Sequence, residues 1–260
     1  MNQRLLNTAL PLAVFALTLI IWEAVVRIWQ IPHYLLPAPS LIAQTMVADW
    51  SILSQALWVT LRTTFLALLL AIIGGVALAI LFAQWKWVER TFFPFAVILQ
   101  VTPIIAIAPL LLVYLEPLTA VLVCAFIVAF FPILSNTALG LASADHNLRD
   151  LFDLYRASRW QQLIYLRLPA ALPYFLGGLR IGGGLALIGA IVAELSAGAA
   201  GQGTGLAFRI AEAGYRLNIP RMFAALVLIS VAGIAIFVFF TALSHLLLGR
   251  WHDSAREREM

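Results

Sequence analysis

The sequence predicts an all-α integral membrane protein with six transmembrane helices and one long cytoplasmic loop between the fourth and fifth. Three observations predict it. Of 260 residues, 63% are hydrophobic and 11% are charged, with a mean hydropathy of +0.99. Soluble domains carry about 25% charged residues, so too few polar groups are present to cover a water-facing surface. Apolar runs long enough to span a bilayer, about 20 residues each, recur along the chain. Charge is concentrated between these runs rather than along one polar face, so the net charge of +4 does not indicate nucleic-acid binding.

The six runs lie at about 8–29, 57–83, 93–115, 117–141, 174–197 and 222–248, and residues 1–260 read as a single transmembrane domain. The first run follows Arg4 as a signal peptide would. It is too long for an h-region, holds Trp22, Glu23 and Arg27, and is followed by no small-residue cleavage site, so it reads as a retained helix. Glu23 and Arg27 form an i, i+4 pair that can satisfy itself near the outer interface. Arg62, early in the second run, reads as a snorkelling cation. Only Glu116-Pro117 separates the third run from the fourth, which predicts a hairpin. Cys124 lies inside the fourth run and reads as a small buried hydrophobe. The four histidines show no metal-ligand spacing.

Orientation follows from the positive-inside rule. With a cytoplasmic N-terminus, the inner segments carry Arg4, Lys86, Arg90, Arg149, Arg156, Arg159, Arg167, Arg250, Arg256 and Arg258. The outer segments carry Arg209, Arg216 and Arg221. Both termini are therefore expected in the cytoplasm, and residues of about 142–173 form a cytoplasmic loop.

That loop, "NLRDLFDLYRASRWQQLIYLRLPAALP" from Asn147 to Pro173, is the charged island of the second half. Asn147 can cap a helix, with Asp150 in its first turn. Leu151, Leu154 and Tyr155 then fall at i, i+3 and i+4, an apolar stripe. Ser158 to Gln161 is an S-x-x-Q capping box, which starts a second helix at Arg159. This helix presents Trp160, Leu163, Ile164 and Leu168 and is expected to stop at Pro169. An amphipathic helix at this place fits either the headgroup layer or a groove on a soluble partner. Asp150 and Asp153 weigh against an anionic lipid surface.

Two charges remain inside the fifth run. Arg180 sits about two turns from its cytoplasmic end, where a structural contact, lipid phosphate or the loop acids are all within reach. Glu194 lies toward the outer end, after Gly182, Gly183, Gly184 and Gly189, small residues that permit close helix packing. Intramembrane charges are functional candidates, and Glu194 and Arg180 are the candidates for the translocation path or gate. The outer segment "AGAAGQGTGLAFRIAEAGYRLNIPR" contains G-x-G-x-G, but no strand precedes it and no Lys-Ser/Thr follows. It reads as a turn followed by a short interfacial helix.

The island resembles the "EAA" loop of bacterial ABC importer permeases. In that motif an acidic residue and small apolar positions precede Gly-Ala-Ser, an aromatic position and a closing Leu-Pro. "DLFDLYRAS" corresponds to the first part, with Asp150 at the glutamate position, and "RWQQLIYLRLPAALP" to the second. "GGLRIGGGLALIGAIVAEL", "TLRTTFLALLLAIIGGVALAI" and "PIIAIAPLLLVYL" are similar to spans of the nitrate/sulfonate/taurine/bicarbonate branch. The resemblance covers about residues 15–250. It implies a coupling helix that docks on a cytoplasmic ATPase, with Asp150, Leu151, Asp153, Leu154, Tyr155, Arg156, Ser158, Arg159 and Trp160 as the coupling residues. It implies a second permease copy in a homodimer, two ATPase subunits, an extracytoplasmic substrate-binding protein, and a place in the bacterial inner membrane. ATP and Mg would sit on the ATPase, with no cofactor in this chain and no enzymatic role for it. The expected substrate is a small anion such as sulfonate, taurine or nitrate; a thiamine-precursor pyrimidine or other heterocycle is the alternative. An ion-coupled secondary transporter fits less well, because no repeated halves are visible, and a membrane scaffold or enzyme would lack any catalytic cluster. Two departures stand out: Leu151 and Phe152 replace the family's alanines, and Arg156 replaces its glycine. A left-handed turn costs a non-glycine residue about 1 kcal/mol, so either the turn differs here or Arg156 is held by a carboxylate of a partner.

Overall fold

The chain is organised around one helix that is longer than its apolar run. The computed structural model describes residues 3–199 and 204–249. Helix α1 (Gln3–Ile28) is followed by a short outer helix α2 (Pro39–Ala48) and by α3 (Trp50–Gln84). Next come α4 (Lys86–Val101) and α5 (Ile104–Tyr114), then α6 (Pro117–Ala142) and the loop helices α7 (His146–Leu154) and α8 (Arg159–Gln162). A π-turn at Leu163–Arg167 leads into α9 (Leu168–Ala199), and α10 (Leu206–Tyr215) and α11 (Ile219–Leu248) complete the order. No strand occurs among the described residues.

Five helical segments are long and apolar enough to cross a membrane, or six if α4 and α5 are counted as one broken span. The continuous third helix expected at 93–115 is therefore corrected. Its axis turns by 97° between α4 and α5. Pro103 explains the break: its ring excludes a helical hydrogen bond and pushes Thr102 into an extended conformation, φ −71° and ψ 123°. Beyond the bend, Ala108 of α5 packs into a buried patch with Ala67, Val121, Cys124, Ala125, Ala190 and Ala193. Cys124 is fully buried there.

The fifth span is corrected in the other direction. The expected stop at Pro169 does not occur, and helix runs without interruption from Arg159 to Gly198, 40 residues. A proline in a regular helix clashes with the carbonyl four residues earlier. The π-turn at Leu163–Arg167 sits at that place, and such turns insert one residue into the ladder. At 1.5 Å per residue, this rod is about 60 Å long.

Small residues fasten the rod to α6. A methyl group added at Gly189 would come within 2.9 Å of Ala125 Cα, at Gly178 within 2.9 Å of the Pro132 carbonyl, and at Gly140 within 2.8 Å of Ala171 Cα. In lipid the hydrophobic effect does not drive helices together, so close backbone approach and van der Waals contact must do so. The close packing expected of the glycines of this span occurs within the chain: Gly178, Gly182 and Gly189 pack against α6, Gly183 packs against Phe240 and Ile236 of α11, and nothing lies within 4 Å of a Cβ at Gly184.

Helix α1 stands apart. Leu10, Leu12, Val14, Phe15 and Leu17 are all exposed. It is held at its outer end, where the Arg27 guanidinium meets Glu23 at 2.6 Å. Glu23 also accepts hydrogen bonds from the Ser40 amide (3.0 Å) and hydroxyl (2.7 Å), which ties α1 to the start of α2. Arg221 at the head of α11 pairs with Asp49 at 2.6 Å, so α2, α3 and α11 share that outer layer.

Candidate functional site

The loop between α6 and α9 is built from two capped turns. Asp145, rather than the expected Asn147, caps α7: its Oδ1 accepts from the Asn147 amide at 2.7 Å and the Leu148 amide at 3.2 Å. Asp and Asn are comparable caps, and capping by Asp145 starts the helix at His146. The capping box at the second turn forms as expected. The Gln161 amide donates to Ser158 Oγ at 3.3 Å, and the Ser158 amide donates to Gln161 Oε1 at 2.7 Å.

Between the turns, Arg156 adopts φ 52°. Its amide donates to the Asp153 carbonyl and the Ala157 amide to the Phe152 carbonyl, both at 2.9 Å. This pair of bonds is the Schellman arrangement that normally ends on glycine. The left-handed turn is thus kept without its glycine. Gln30 (φ 48°) and Leu217 (φ 55°) end α1 and α10 in the same conformation.

The loop has two faces. On the outer one, Leu148, Leu151, Leu154, Tyr155, Trp160, Ile164 and Tyr165 are exposed, Leu154 and Tyr155 at 79% and 77%. Leu151, Tyr155 and Arg156 line a recess of about 440 Å³ with Phe152, Ala157, Gln161 and Tyr165. Asp150 is also exposed. On the inner face, Asp153 accepts a hydrogen bond from Gln162 at 2.6 Å, and Arg159 donates to the Gln84 carbonyl at 3.2 Å. The coupling candidates therefore divide. Leu151, Leu154, Tyr155, Arg156 and Trp160 face outward, Ser158 shapes the backbone, and Asp153 and Arg159 fasten the loop to the spans. Tyr165 and Gln161 complete the recess; in the sequence Gln161 reads only as part of the capping box, and Tyr165 is not singled out.

The other candidates lie at the far end. Glu194 is 4% exposed. Its Oε1 accepts from the Thr60 hydroxyl at 2.8 Å, and its Oε2 accepts from the Ala207 amide at 3.0 Å. Thr60 Oγ1 in turn accepts from the Leu206 amide at 2.9 Å. The carboxylate thus receives the Ala207 amide in the first turn of α10, directly, and the Leu206 amide through Thr60, where the helix dipole favours an anion, and it joins α3, α9 and α10. A Cβ on Gly205 would fall on the carboxylate itself, so only glycine fits there. Thr60 and Ala207 escaped the sequence reading, since Thr60 lies 134 residues from Glu194 and gives no local pattern, and Gly205 reads there only as part of the G-x-G-x-G turn. On α10, the Arg209 guanidinium binds Glu212 at 2.7 Å and holds its carboxyl below the usual range. Gly201 and Gly203 of the G-x-G-x-G stretch lie outside the described residues. Arg180 stacks over the Phe237 ring of α11, 5.6 Å from its centroid, and Arg62 is exposed.

The family described as "Binding-protein-dependent transport system inner membrane component" matches residues 71–250. The riboflavin transport system permease protein of Chloroflexus aurantiacus is 34% identical, over 92% of this chain and 88% of that protein. The formylaminopyrimidine transport permease protein of Halalkalibacterium halodurans is 32% identical, over 92% and 94%. Nitrate, sulfonate and taurine permeases are also homologues. A solved amino acid ABC transporter chain superposes with a TM-score of 0.63 at 19% identity, covering 80% of this chain and 97% of that one.

Two outcomes follow from this geometry. Arg156→Gly relieves the left-handed residue and raises stability by about 1 kcal/mol, read as a higher midpoint of thermal unfolding; Arg156→Val lowers it. Glu194→Gln can turn only one oxygen toward its donors and leaves a buried NH2 without an acceptor. It costs about 2 kcal/mol of stability in the same assay, and an unchanged midpoint would refute the bracing role.

Proposed function

Because the chain belongs to the binding-protein-dependent transport system inner membrane component family, we propose that its outward loop face is the surface on which a cytoplasmic ATPase drives transport. The chain is a permease component of an ABC transporter, a multi-pass inner membrane protein and not itself an enzyme. Membership implies an ATPase and a binding protein as partners. The observation that carries the docking surface is the exposed apolar row from Leu151 to Tyr165 beside its recess. An apolar helix face with charges at its rim is the pattern read by a groove on a soluble partner. ATP and Mg belong to the ATPase, and two copies of this chain form the pathway by alternating access.

The substrate is a small planar heterocycle. Support comes from the riboflavin and formylaminopyrimidine relatives, which align over nearly the whole chain at 34% and 32% identity. This revises the first expectation of an anion. The sulfonate and taurine relatives, at 28% and 26%, keep the anion as the second reading.

Mild detergent extraction of the tagged chain should bring down a stoichiometric ATPase. Leu154→Asp with Tyr155→Asp should abolish its recovery and ATP-dependent uptake while the permease still inserts. An ATPase that remains bound to the double variant would refute this docking face. Titrating the companion binding protein with riboflavin, a pyrimidine, taurine and nitrate separates the substrate readings.

A further inference from the structure

Behind the loop, between its inner face and the ends of the spans, lies a second and larger cavity of about 710 Å³. It is lined by Lys86, Arg149, Arg159 and Arg167, against two carboxylates, Glu89 and Asp153. Neither carboxylate neutralises the arginines by contact. Glu89 is taken by Lys86 at 2.7 Å, and Asp153 accepts from the Gln162 amide group. Arg159 and Arg167 each place one Nη1 on the last carbonyls of α3, Gln84 at 3.2 Å and Ala83 at 3.1 Å. Those bonds fix the two guanidinium groups and use only one of the five donors each carries. Arg149, half-buried on the same face of α7 as Asp153, makes no side-chain hydrogen bond or ion pair with a described residue. Three guanidinium groups facing one cavity repel one another unless an anion lies between them.

The cavity also has a depth. It sits where α3 ends at Gln84 and α6 ends at Ala142, with Trp85 and Trp87 in its wall and Phe82, Ala138 and Leu141 on its membrane side. Tryptophan marks the headgroup level of a bilayer, and basic pockets between helices on the cytoplasmic side are built for lipid phosphates. We propose that this cavity binds the phosphate of an anionic phospholipid headgroup, gripped by Arg149, Arg159 and Arg167. Arginine suits the role because its planar fork meets two phosphate oxygens at once. The lipid then sits between the loop and the end of α3, so it props the loop at the height where its outer face is presented. This site stands apart from the docking face and does not depend on it.

The test uses the full-length chain, delipidated in a neutral detergent, and reads lipid retention by native mass spectrometry. Phosphatidylglycerol, phosphatidylcholine and inorganic phosphate are offered separately. The expected result is tighter retention of phosphatidylglycerol than phosphatidylcholine, weakened about tenfold by Arg149→Gln and restored only in part by Arg149→Lys, which keeps the charge but not the planar fork. Size-exclusion elution at the position of the native chain confirms that each variant is folded. Equal retention of both lipids, or of phosphatidylglycerol by Arg149→Gln, overturns the proposal. Inorganic phosphate that displaces phosphatidylglycerol and raises the unfolding midpoint as much as the lipid does overturns the lipid assignment in favour of a soluble anion.

Discussion

The close approach of α9 to α6 is the contact on which the rest of the structure depends. Gly189 meets the Ala125 backbone, Gly178 meets the Pro132 carbonyl beside Asn136, and Gly182 receives the Ile133 side chain, so each glycine lets α6 approach where a larger residue would not fit. Such a contact gains only dispersion energy per atom pair, but over the length of the helices it is the main attraction available in lipid. It also resists sliding, because Ile133 fits only where Gly182 leaves room for it, and a shift in register would set it against a larger neighbour. The rod from Arg159 to Gly198 is therefore held in one position along α6.

What the rod connects gives this constraint its meaning. Its N-terminal end is the second half of the loop, with the capping box at Ser158 and the π-turn in line with the span. Its outer end carries Glu194, which binds the first turn of α10 and Thr60 of α3. A buried carboxylate is costly unless its lone pairs are filled, so α10 cannot leave this position without either carrying Glu194 along or breaking its bonds. Movement imposed at the loop thus has a direct mechanical route to the outer helix, without a hinge in between.

Much of the fold was legible because bilayer length and charge asymmetry act on local sequence. The spans at 8–29, 117–141 and 222–248, the capping box and the short helix after Gly205 all follow from runs, caps and counts. The stop expected at Pro169 does not occur, because a π-turn precedes it and no pattern announces a π-turn; the bend at Pro103 lies inside an apolar run whose composition gives no sign of it. The loop residues were legible as a motif, and the turn at Arg156 was legible as a conflict between motif and residue. Glu194 was visible as a charge in the wrong solvent, but its partners were not. Thr60 and Ala207 meet it only through tertiary packing.

The continuity of the rod is best tested by distance. Spin labels at Tyr165 and Leu195, both exposed, report the two ends of the rod within one chain of the assembled transporter. Pulsed electron resonance in the nucleotide-free state and in a trapped ATP state should give the same separation, while each label moves relative to its counterpart in the second copy. A change between the two labels of about one helical turn, ~5 Å, would show that the helix yields at the π-turn or at Pro173, and that the loop and the outer helix are not joined as a single body.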